Sequence, residues 1–332
     1  MASPMADVWG IVLAGGEGNR LLPLTRYIAG DNCPKQFCAV NGARTLLGQT
    51  LARTAPLIPS ERTVVVGSRA HAGYLRRALP GPVPYKLLQP ANKGTGPGIL
   101  LPAYWVSWRD PEAIVAVFPS DHFVHQERAF LAYVDRAVRI VRRRPEMVVL
   151  LGVDPDGPEE GYGWIEPGES ARAAPGCFRV RTFWEKPTAE RARVFFRSGY
   201  LWNSLVLVAR VGALKALGRT YIPDIDARLS RIQEVAGRED DAGAVREAYA
   251  LMRAADFSRD VLERAVESLV VLPVQGVLWS DWGTPERVLR TLRRIGASPR
   301  WLEAWAARSE RKENVHEQAH NPWNRAGAGA LL

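Results

Sequence analysis

The sequence predicts an α/β fold with a mixed, mostly parallel central sheet and helices on both faces. Short β-branched runs alternate with helical patterns along the first half of the chain, which is typical of parallel strands joined by crossover helices. The clearest helix is expected from Glu127 to Arg143, where one apolar stripe is flanked by charged residues. No internal repeat or Gly/Ser-rich linker divides the 332 residues, so independent domains are not indicated.

The strands are predicted wherever a short β-branched or aromatic run is bounded by polar segments or glycine and proline. In chain order they are Val8 to Leu13, Thr63 to Gly67, Tyr85 to Gln89, Ile114 to Phe118, Met147 to Val153, Phe178 to Phe183, Asn203 to Ala209 and Leu269 to Leu278, the last three including antiparallel ones. Further helices are expected at Arg228 to Glu234, at Ala244 to Arg253 and from about Ser298. Ligands of such sheets bind beyond the carboxyl ends of the strands, so the residues that follow each strand are functional candidates.

Composition limits the compartment and the partners. The chain has 44 Lys and Arg against 35 Asp and Glu, a net charge of +9, which suits anionic ligands. The arginines are scattered, with a single run at Arg142–Arg144, so nucleic-acid binding, which would be steeply salt-dependent, is not expected. Three cysteines cannot all be paired, which favours a reducing cytoplasm. No signal peptide or membrane span is predicted, and a homodimer is one possible assembly.

A glycine-rich segment follows the first predicted strand. It reads Leu13-Ala14-Gly15-Gly16-Glu17-Gly18-Asn19-Arg20, and Pro34-Lys35-Gln36-Phe37 comes after it. Glycines let backbone N–H groups approach phosphate oxygens, and two cations add charge. Three glycines alone also suit an ordinary tight turn, but the cations favour a phosphate site. A P-loop would need Lys-Ser or Lys-Thr after Gly18, and a dinucleotide fingerprint would need glycine at Leu21.

Two aspartates follow predicted strands and are candidate metal ligands. Asp121 comes after Ile114 to Phe118, and Asp281 lies in Trp-Ser-Asp-Trp-Gly. Because Mg²⁺ usually takes one or two protein carboxylates together with substrate phosphate, the pair could share one ion. Either residue could instead be a turn or helix-capping aspartate. His122 raises the alternative of a general base, although an ionised phosphate nucleophile needs none.

Further polar segments are candidates for contacts with the rest of a substrate. Glu185-Lys186 ends a strand before Pro187, where the acid suits sugar hydroxyls and the base a phosphate, although one of the two could simply be solvated. Aromatic and glycine-containing segments around Glu159, Gly163 and Asn203 could line the same pocket or belong to the core. A polar loop that could contact base or ribose, or could be a plain connection, contains Gln89, Asn92, Gly94 and Thr95.

In this order, the motifs resemble those of the sugar-phosphate nucleotidyltransferases, and among them the bacterial mannose-1-phosphate guanylyltransferases. The resemblance extends from about Val8 to Leu292. It rests on Leu-Ala-Gly-Gly-x-Gly-x-Arg-Leu, Pro-Lys-Gln-Phe, Pro-x-Asp-His, Gly-Tyr-Gly-x-Ile, Glu-Lys-Pro, Leu-Trp-Asn-Ser and Trp-Ser-Asp-x-Gly. It implies a Rossmann-like nucleotidyltransferase fold, with a catalytic domain over residues 5–293 and a C-terminal helix and mobile tail over 294–332.

The resemblance also implies a reaction and a set of site residues. A nucleoside triphosphate, with GTP favoured, would react with a sugar 1-phosphate, with mannose favoured, to give a nucleotide-sugar and pyrophosphate. The implied catalytic residues are Arg20, Lys35, Asp121 and Asp281, and the last two would bind Mg²⁺. The implied nucleotide contacts are Leu13, Ala14, Gly15, Gly16, Gly18, Asn19, Gln89, Asn92, Gly94 and Thr95. The implied sugar-phosphate contacts are Glu159, Gly163, Glu185, Lys186 and Asn203.

Three departures from the family pattern keep alternatives open. The loop from Tyr27 to Cys33 is longer than usual, Asn92 to Gly98 replaces the usual Arg-Asn-Thr-Ala-Pro-Ala, and Leu205 replaces a typical glycine. One alternative is a thymidylyl-, uridylyl- or cytidylyltransferase that acts on glucose or heptose 1-phosphate. Another is a catalytically silent regulator that binds nucleotide-sugars. The retention of its cations and paired aspartates argues against this alternative: Arg20, Lys35, Asp121, Lys186 and Asp281.

Overall fold

A nine-stranded mixed sheet organises the residues that the computed structural model describes, which are 7–80, 85–235 and 241–308. The strands, in chain order, are β1 (Val8–Ala14), β2 (Thr63–Ser68), β3 (Tyr85–Gln89), β4 (Ile114–Pro119), β5 (Phe123–Val124), β6 (Val148–Val153), β7 (Gly163–Ser170), β8 (Phe178–Glu185), β9 (Leu201–Arg210), β10 (Leu269–Val274) and β11 (Trp279–Ser280). The large sheet has the order β3-β2-β1-β4-β9-β6-β10-β8-β7, and β5 pairs with β11 separately.

The first four strands of the large sheet are parallel. β1 pairs with β2 and β4, and β2 pairs with β3. Their cores are apolar and β-branched, and β2 and β4 are buried along their whole length, as expected for strands covered on both faces. The sequence prediction is confirmed here to within a residue at each strand end. The carboxyl ends of β1, β2 and β4 therefore lie at one edge of the sheet, with their following loops side by side.

The rest of the sheet is built around β9, which is antiparallel to both of its neighbours, β4 and β6. The mostly parallel pattern thus holds for β1 to β4 and for the β6–β10 pair, whereas β7, β8 and β9 pair antiparallel. Because β9 runs in the opposite direction, its first residues lie at the edge where β4 and β6 end. One strand prediction was wrong, because the strand from Leu269 ends at Val274, before a turn at Gly276 (φ 69°). The strands β5, β7 and β11 were not predicted.

Ten α-helices lie between residues 7 and 294 of the described part of the chain. They are α1 (Leu22–Ala29), α2 (Leu46–Thr54), α3 (Ala72–Ala78), α4 (Thr95–Arg109), α5 (Glu127–Arg143), α6 (Ala189–Arg197), α7 (Val211–Tyr221), α8 (Pro223–Val235), α9 (Asp241–Leu251) and α10 (Pro285–Arg294). The predicted bounds of α5 are confirmed. In the described part of the chain, no helix is long and apolar enough to cross a membrane.

Each face of the sheet carries its own apolar core. Val8 and Val12 of β1 pack into one core with α5, while Trp9 and Ile11 pack into the other with α4. Alternate residues of a strand point to opposite faces, so β1 contributes to both cores. The two cores hold the strands in place from both faces of the sheet. They therefore fix the positions of the loops that follow the strand ends.

The chain after α10 returns to the loop that distinguishes this sequence. Residues 302–308 are helical. Trp301 donates its Nε1 hydrogen to the carbonyl of Val40 at 2.8 Å, and Trp305 packs against Tyr27 in a tilted arrangement, with 5.1 Å between ring centroids and 58° between the ring planes. The helix of residues 302–308 therefore covers Tyr27 in the last turn of α1, so the segment predicted as a loop from Tyr27 begins inside that helix. Most of the predicted tail, residues 309–332, lies outside the described residues.

Candidate active site

The glycine-rich loop passes directly over the segment that contains Lys35. Gln36 donates from Nε2 to the carbonyls of Ala14 and Gly16, each at 2.9 Å, so the buried amide holds both sides of the loop. Gly18 has a φ of 64°, and a Cβ there would lie 2.9 Å from Cβ of Lys35. Only glycine fits that conformation and that contact without strain. The glycine-rich loop is therefore held next to the 3₁₀ turn Lys35–Phe37, with its other side facing solvent.

Lys35 joins the two aspartates predicted as metal ligands. Its side chain is only 5% exposed, and Nζ lies 3.0 Å from Oδ2 of Asp121. The same ammonium donates to the backbone carbonyl of Asp281. A buried ammonium needs such partners, since an unpaired one would lose its hydration without compensation. The ends of β1, β4 and β11 thus converge on one cation.

Asp121 and His122 follow β4 in different protonation states. Burial alone would raise the pKa of Asp121, but the neighbouring Lys35 and His122 outweigh it and hold that pKa below its usual value. Burial lowers the pKa of His122, so the imidazole is neutral at pH 7. Its Nδ1 has no hydrogen-bond partner among the described residues, and its ring meets the Trp279 indole edge-on. Asp121 is thus ionised, and His122 is packed beside it.

Asp281 is held by three neighbouring groups. The Tyr162 hydroxyl and the Gly283 N–H both donate to Oδ1 at 2.8 Å. Arg287 donates from Nη1 to Oδ1 at 3.0 Å and to Oδ2 at 3.1 Å. Burial would raise the pKa of Asp281, but Lys35 and Arg287 more than offset it, so the pKa lies below its usual value. The carboxylate is therefore ionised and fixed in orientation.

The cations of the site differ in exposure. The Arg20 side chain is 58% exposed, and its Nη2 lies 3.9 Å from Oδ2 of Asp281, so it can reach a ligand in the open cleft. Arg287 is buried, and it also donates from Nη2 to Oε2 of Glu159 at 2.6 Å. Glu159 accepts a second bond from Arg290 at 3.3 Å. Glu159, predicted to contact a sugar, is thus ion-paired on both oxygens.

The predicted acceptor residues Gly163, Glu185, Lys186 and Asn203 do come together. Glu185 lies opposite Gly163 in the β7–β8 ladder, and a Cβ on Gly163 would lie 2.8 Å from Oε2 of Glu185 and 3.1 Å from Cβ of Asn203. Burial raises the pKa of Glu185, although Lys186 opposes this from 3.1 Å. The N–H of Glu185 donates to Glu263, a residue that the sequence did not single out. The glycine therefore keeps a space between a carboxylate and an amide.

Asn203 is positioned by a bulge in β9. Its Oδ1 accepts a bond from the N–H of Leu205 at 3.1 Å, and its Nδ2 lies 3.5 Å from the Ser258 hydroxyl. Leu205 has a φ of 55°, a left-handed conformation that disfavours residues with a Cβ. The typical glycine at this position is thus explained by backbone conformation, and the chain keeps the bulge without it.

The predicted nucleotide loop is anchored on its far side. Gln89 accepts a bond from the Tyr249 hydroxyl at 3.1 Å, and its Nε2 would lie 3.0 Å from a Cβ on Gly15. Thr95 accepts a bond from the N–H of Phe257 at 2.7 Å. Asn92 accepts one from the N–H of Gly94 at 3.0 Å. Gln89 and the glycine loop are therefore neighbours, while Asn92 to Thr95 are tied to residues 255–257.

Replacement of Gly94 by alanine is expected to destabilise the protein by about 2–3 kcal/mol, because a strained φ and a clash add together. Gly94 has a φ of 87°, and a Cβ there would lie 2.3 Å from the carbonyl oxygen of Ala255. Gly42 is the matched control, because its φ is 89° with no atom within 4 Å, and Gly42→Ala should cost about 1 kcal/mol. Urea unfolding measures both, and equal losses would contradict the predicted clash.

The two aspartates offer oxygens that fit a divalent cation. Asp121 is ionised and 31% exposed, and its Oδ1 lies 3.8 Å from the His122 ring nitrogen, beyond hydrogen-bond distance. Oδ2 of Asp281 has fewer donors than Oδ1. Within the described ranges no group of three or more His, Cys, Asp or Glu could hold an ion alone. Two carboxylates suit Mg²⁺ when substrate phosphate completes its shell.

The family of the chain follows from comparison with known proteins. A family model described as nucleotidyl transferase matches residues 9–297. The chain belongs to the nucleotidyl transferase family. The matched residues contain the glycine loop, Lys35 and both aspartates, and the match confirms the family resemblance seen in the sequence.

Similar proteins include curated relatives and solved structures. The mannose-1-phosphate guanylyltransferase of Escherichia coli K12 is 32% identical over 291 residues, and the xanthan biosynthesis protein XanB of Xanthomonas campestris is 31% identical over 285 residues. Each alignment covers 84% of this nucleotidyl transferase and 58% of the relative. A Thermus thermophilus crystal structure, described as a mannose-1-phosphate geranyltransferase, is 28% identical with a TM-score of 0.74, covering 88% of this chain and 80% of that one. This chain spans less than two-thirds of the length of both curated relatives.

Proposed function

We propose that this chain transfers a nucleotidyl group from a nucleoside triphosphate to a sugar 1-phosphate, with GTP and mannose 1-phosphate as the favoured pair. The observation that carries the proposal is the contact of Lys35 with the Asp121 carboxylate and the Asp281 carbonyl. It lies beside the glycine loop that Gln36 holds. The names of the similar proteins favour mannose and guanine.

The triphosphate would lie against the N–H groups of Gly15, Gly16 and Gly18, with Arg20 reaching it from the open side. Lys35 would neutralise charge that builds up around the attacked α-phosphorus, which is an electrostatic contribution rather than a proton transfer. Asp121 and Asp281 would hold Mg²⁺, which when bound supplies Lewis-acid charge to the phosphate oxygens. The two aspartates already stand on either side of the Lys35 ammonium.

The acceptor would occupy the space between the ends of β7, β8 and β9. Glu185 and Asn203 offer oxygens and an amide to sugar hydroxyls, and Lys186 faces a phosphate. Lys186 is 47% exposed and has a φ of 50°, which turns it away from the strand direction. The acceptor phosphate oxygen would attack the α-phosphorus and the bond to pyrophosphate would break, with both anions screened by the surrounding cations.

The substrate pair is tested by pyrophosphate release in the presence of Mg²⁺. Four nucleoside triphosphates and dTTP are crossed with mannose, glucose and heptose 1-phosphates. The highest kcat/KM is expected for GTP with mannose 1-phosphate. A maximum of kcat/KM at another pair would support the reaction type but replace the proposed substrates. The unusual segments Tyr27–Cys33 and Asn92–Gly98 are the reason for testing other pairs. No turnover with any pair would favour the silent regulator.

Replacement of His122 by glutamine is expected to reduce kcat by less than about tenfold, because an ionised phosphate nucleophile needs no general base and the imidazole packs beside Asp121 without donating to it. The pKa of His122 is below 6.5 in the folded protein. Its contribution to stability is therefore complete above pH 6.5 and declines as the pH falls further. Initial rates of the variant and the wild type from pH 6.5 to 9 measure the expected small effect on kcat. A loss of more than about a hundredfold in a folded variant would instead make His122 a general base.

A further inference from the structure

Arg287 lies in the first turn of α10, shortly after Asp281 in the chain. The helix begins at Pro285 after the N-cap Thr284, whose hydroxyl accepts the N–H of Arg287 at 3.4 Å. This cap fixes the direction in which the Arg287 side chain leaves the helix. The side chain is 10% exposed, and its guanidinium lies 4.3 Å from the centre of the Tyr162 ring. A buried cation next to an aromatic face is held in one orientation.

The two ends of the Arg287 guanidinium hold two different carboxylates. Nη1 contacts both oxygens of Asp281, and Nη2 contacts Oε2 of Glu159. Burial opposes its charge, but Asp281 and the neighbouring anions raise the pKa of Arg287 overall. Both terminal nitrogens are therefore engaged by protein. Arg20, which is exposed, remains the arginine that can turn toward a phosphate.

The donors around Asp281 are distributed unequally between its oxygens. Oδ1 accepts from the Tyr162 hydroxyl, the Gly283 N–H and Arg287, whereas Oδ2 accepts from Arg287 and faces Arg20 at 3.9 Å. An oxygen with three donors has no room for a metal ion. Oδ2 is thus the oxygen that can coordinate one, and Arg287, which contacts both oxygens, fixes the orientation of the carboxylate.

We propose that Arg287 is a positioning residue that couples the metal-facing carboxylate of Asp281 to the carboxylate of Glu159, which the family resemblance assigns to the acceptor. The proposal rests on the proposed function, because Asp281 binds a metal ion and Glu159 acts on an acceptor only in such a reaction. Partners that orient metal ligands typically change metal affinity by about 10–100-fold when they are removed. Loss of Arg287 should therefore weaken both metal binding and use of the acceptor, through one side chain.

The test compares Arg287→Met with Arg290→Met. Arg290 is the matched control, because it lies on the same helix and contacts Glu159 at 3.3 Å without contacting Asp281. Mn²⁺ binding is measured by the EPR signal of the free ion, with Mn²⁺ alone and with GTP present, and KM is measured for mannose 1-phosphate. Arg287→Met should weaken Mn²⁺ binding about tenfold and raise KM several-fold. Arg290→Met should leave Mn²⁺ binding unchanged.

Wild-type Mn²⁺ affinity in folded Arg287→Met would overturn the proposal, as would an equal loss of Mn²⁺ affinity in Arg290→Met. If Arg287→Met does not fold, Arg287→Lys is tested instead, because it keeps the buried charge but reaches only one carboxylate. Wild-type values of both Mn²⁺ affinity and KM in Arg287→Lys would then overturn the proposal. Absence of turnover in the wild-type protein would reject the proposed substrates. The comparison with Mn²⁺ alone would still decide whether Arg287 positions Asp281.

Discussion

Replacement of Lys35 by methionine is expected to lower kcat by about 10²–10³-fold, because it removes a preorganised charge from the place where negative charge develops. Lys35 is buried and in contact with the Asp121 carboxylate and the Asp281 carbonyl. Methionine has a side chain of similar length and fills the same buried space without the charge. Pyrophosphate release under saturating substrates measures the loss, with CD spectra to establish the fold.

Lys215→Met is the control for the removal of a partly buried lysine elsewhere. Lys215 lies on α7 and donates to the Ser107 hydroxyl at 3.1 Å, on the sheet face opposite α5. Its replacement should leave kcat within about twofold, since substitutions away from a site have small effects. Lys35→Arg is expected to recover little, because the planar guanidinium does not fit a site shaped for a compact ammonium. Activity of Lys35→Met within about threefold of the wild type would remove Lys35 from the mechanism.

Asp121→Asn and Asp281→Asn are each expected to lower turnover by at least about a hundredfold, but they should differ in stability. Asp121 accepts its bond from Lys35 on Oδ2 only, which an amide oxygen can still accept. Asp281 accepts from Arg287 on both oxygens, and an amide nitrogen cannot accept. A buried arginine that loses its partner costs about 3–5 kcal/mol, which Glu159 reduces here to about 2–3 kcal/mol.

Turnover over a range of Mg²⁺ concentrations and urea unfolding measure the two effects separately. High Mg²⁺ should restore part of the turnover of Asp121→Asn, because Asp281 still offers one coordinating oxygen. Near-normal activity of either variant at limiting Mg²⁺ would show that the altered residue is not a metal ligand. Equal free energies of unfolding would contradict the unequal roles assigned to the two carboxylates.

Much of the sheet could be predicted from the sequence because its parallel strands are buried on both faces. Such strands need continuous apolar runs, and the apolar runs of β1, β2 and β4 are evident in the sequence. β7 carries Pro167 and Gly168, which weaken a strand pattern. They are tolerated because the pairing of β7 with β9 is confined to Trp164 and Ile165, which leaves one side of the strand unpaired at Pro167. The direction of β9 could not be predicted, because alternating side chains appear the same in parallel and antiparallel strands.

The site could be predicted in part, because phosphate and metal chemistry limits the residue types. Glycines, Lys35 and the aspartates after strands stand out by type and by place. Gln36 and Arg287 do not, since their role is to hold other groups and depends on distances between segments far apart in the chain. Gln36 bonds to a loop 20 or more residues away, and Arg287 bonds to Glu159 across 128 residues. Only the folded chain shows these contacts.

The reversed direction of β9 has a consequence for how the cleft can move. β9 is hydrogen-bonded to β4 on one side and to β6 on the other. β1, which ends at the glycine loop, and β8, which ends at Glu185, therefore belong to one continuous sheet. A rotation between the two halves would break those bonds. We therefore expect any closure over bound substrates to involve the loops above the sheet, and hydrogen exchange to protect β4, β9 and β6 equally with and without substrate.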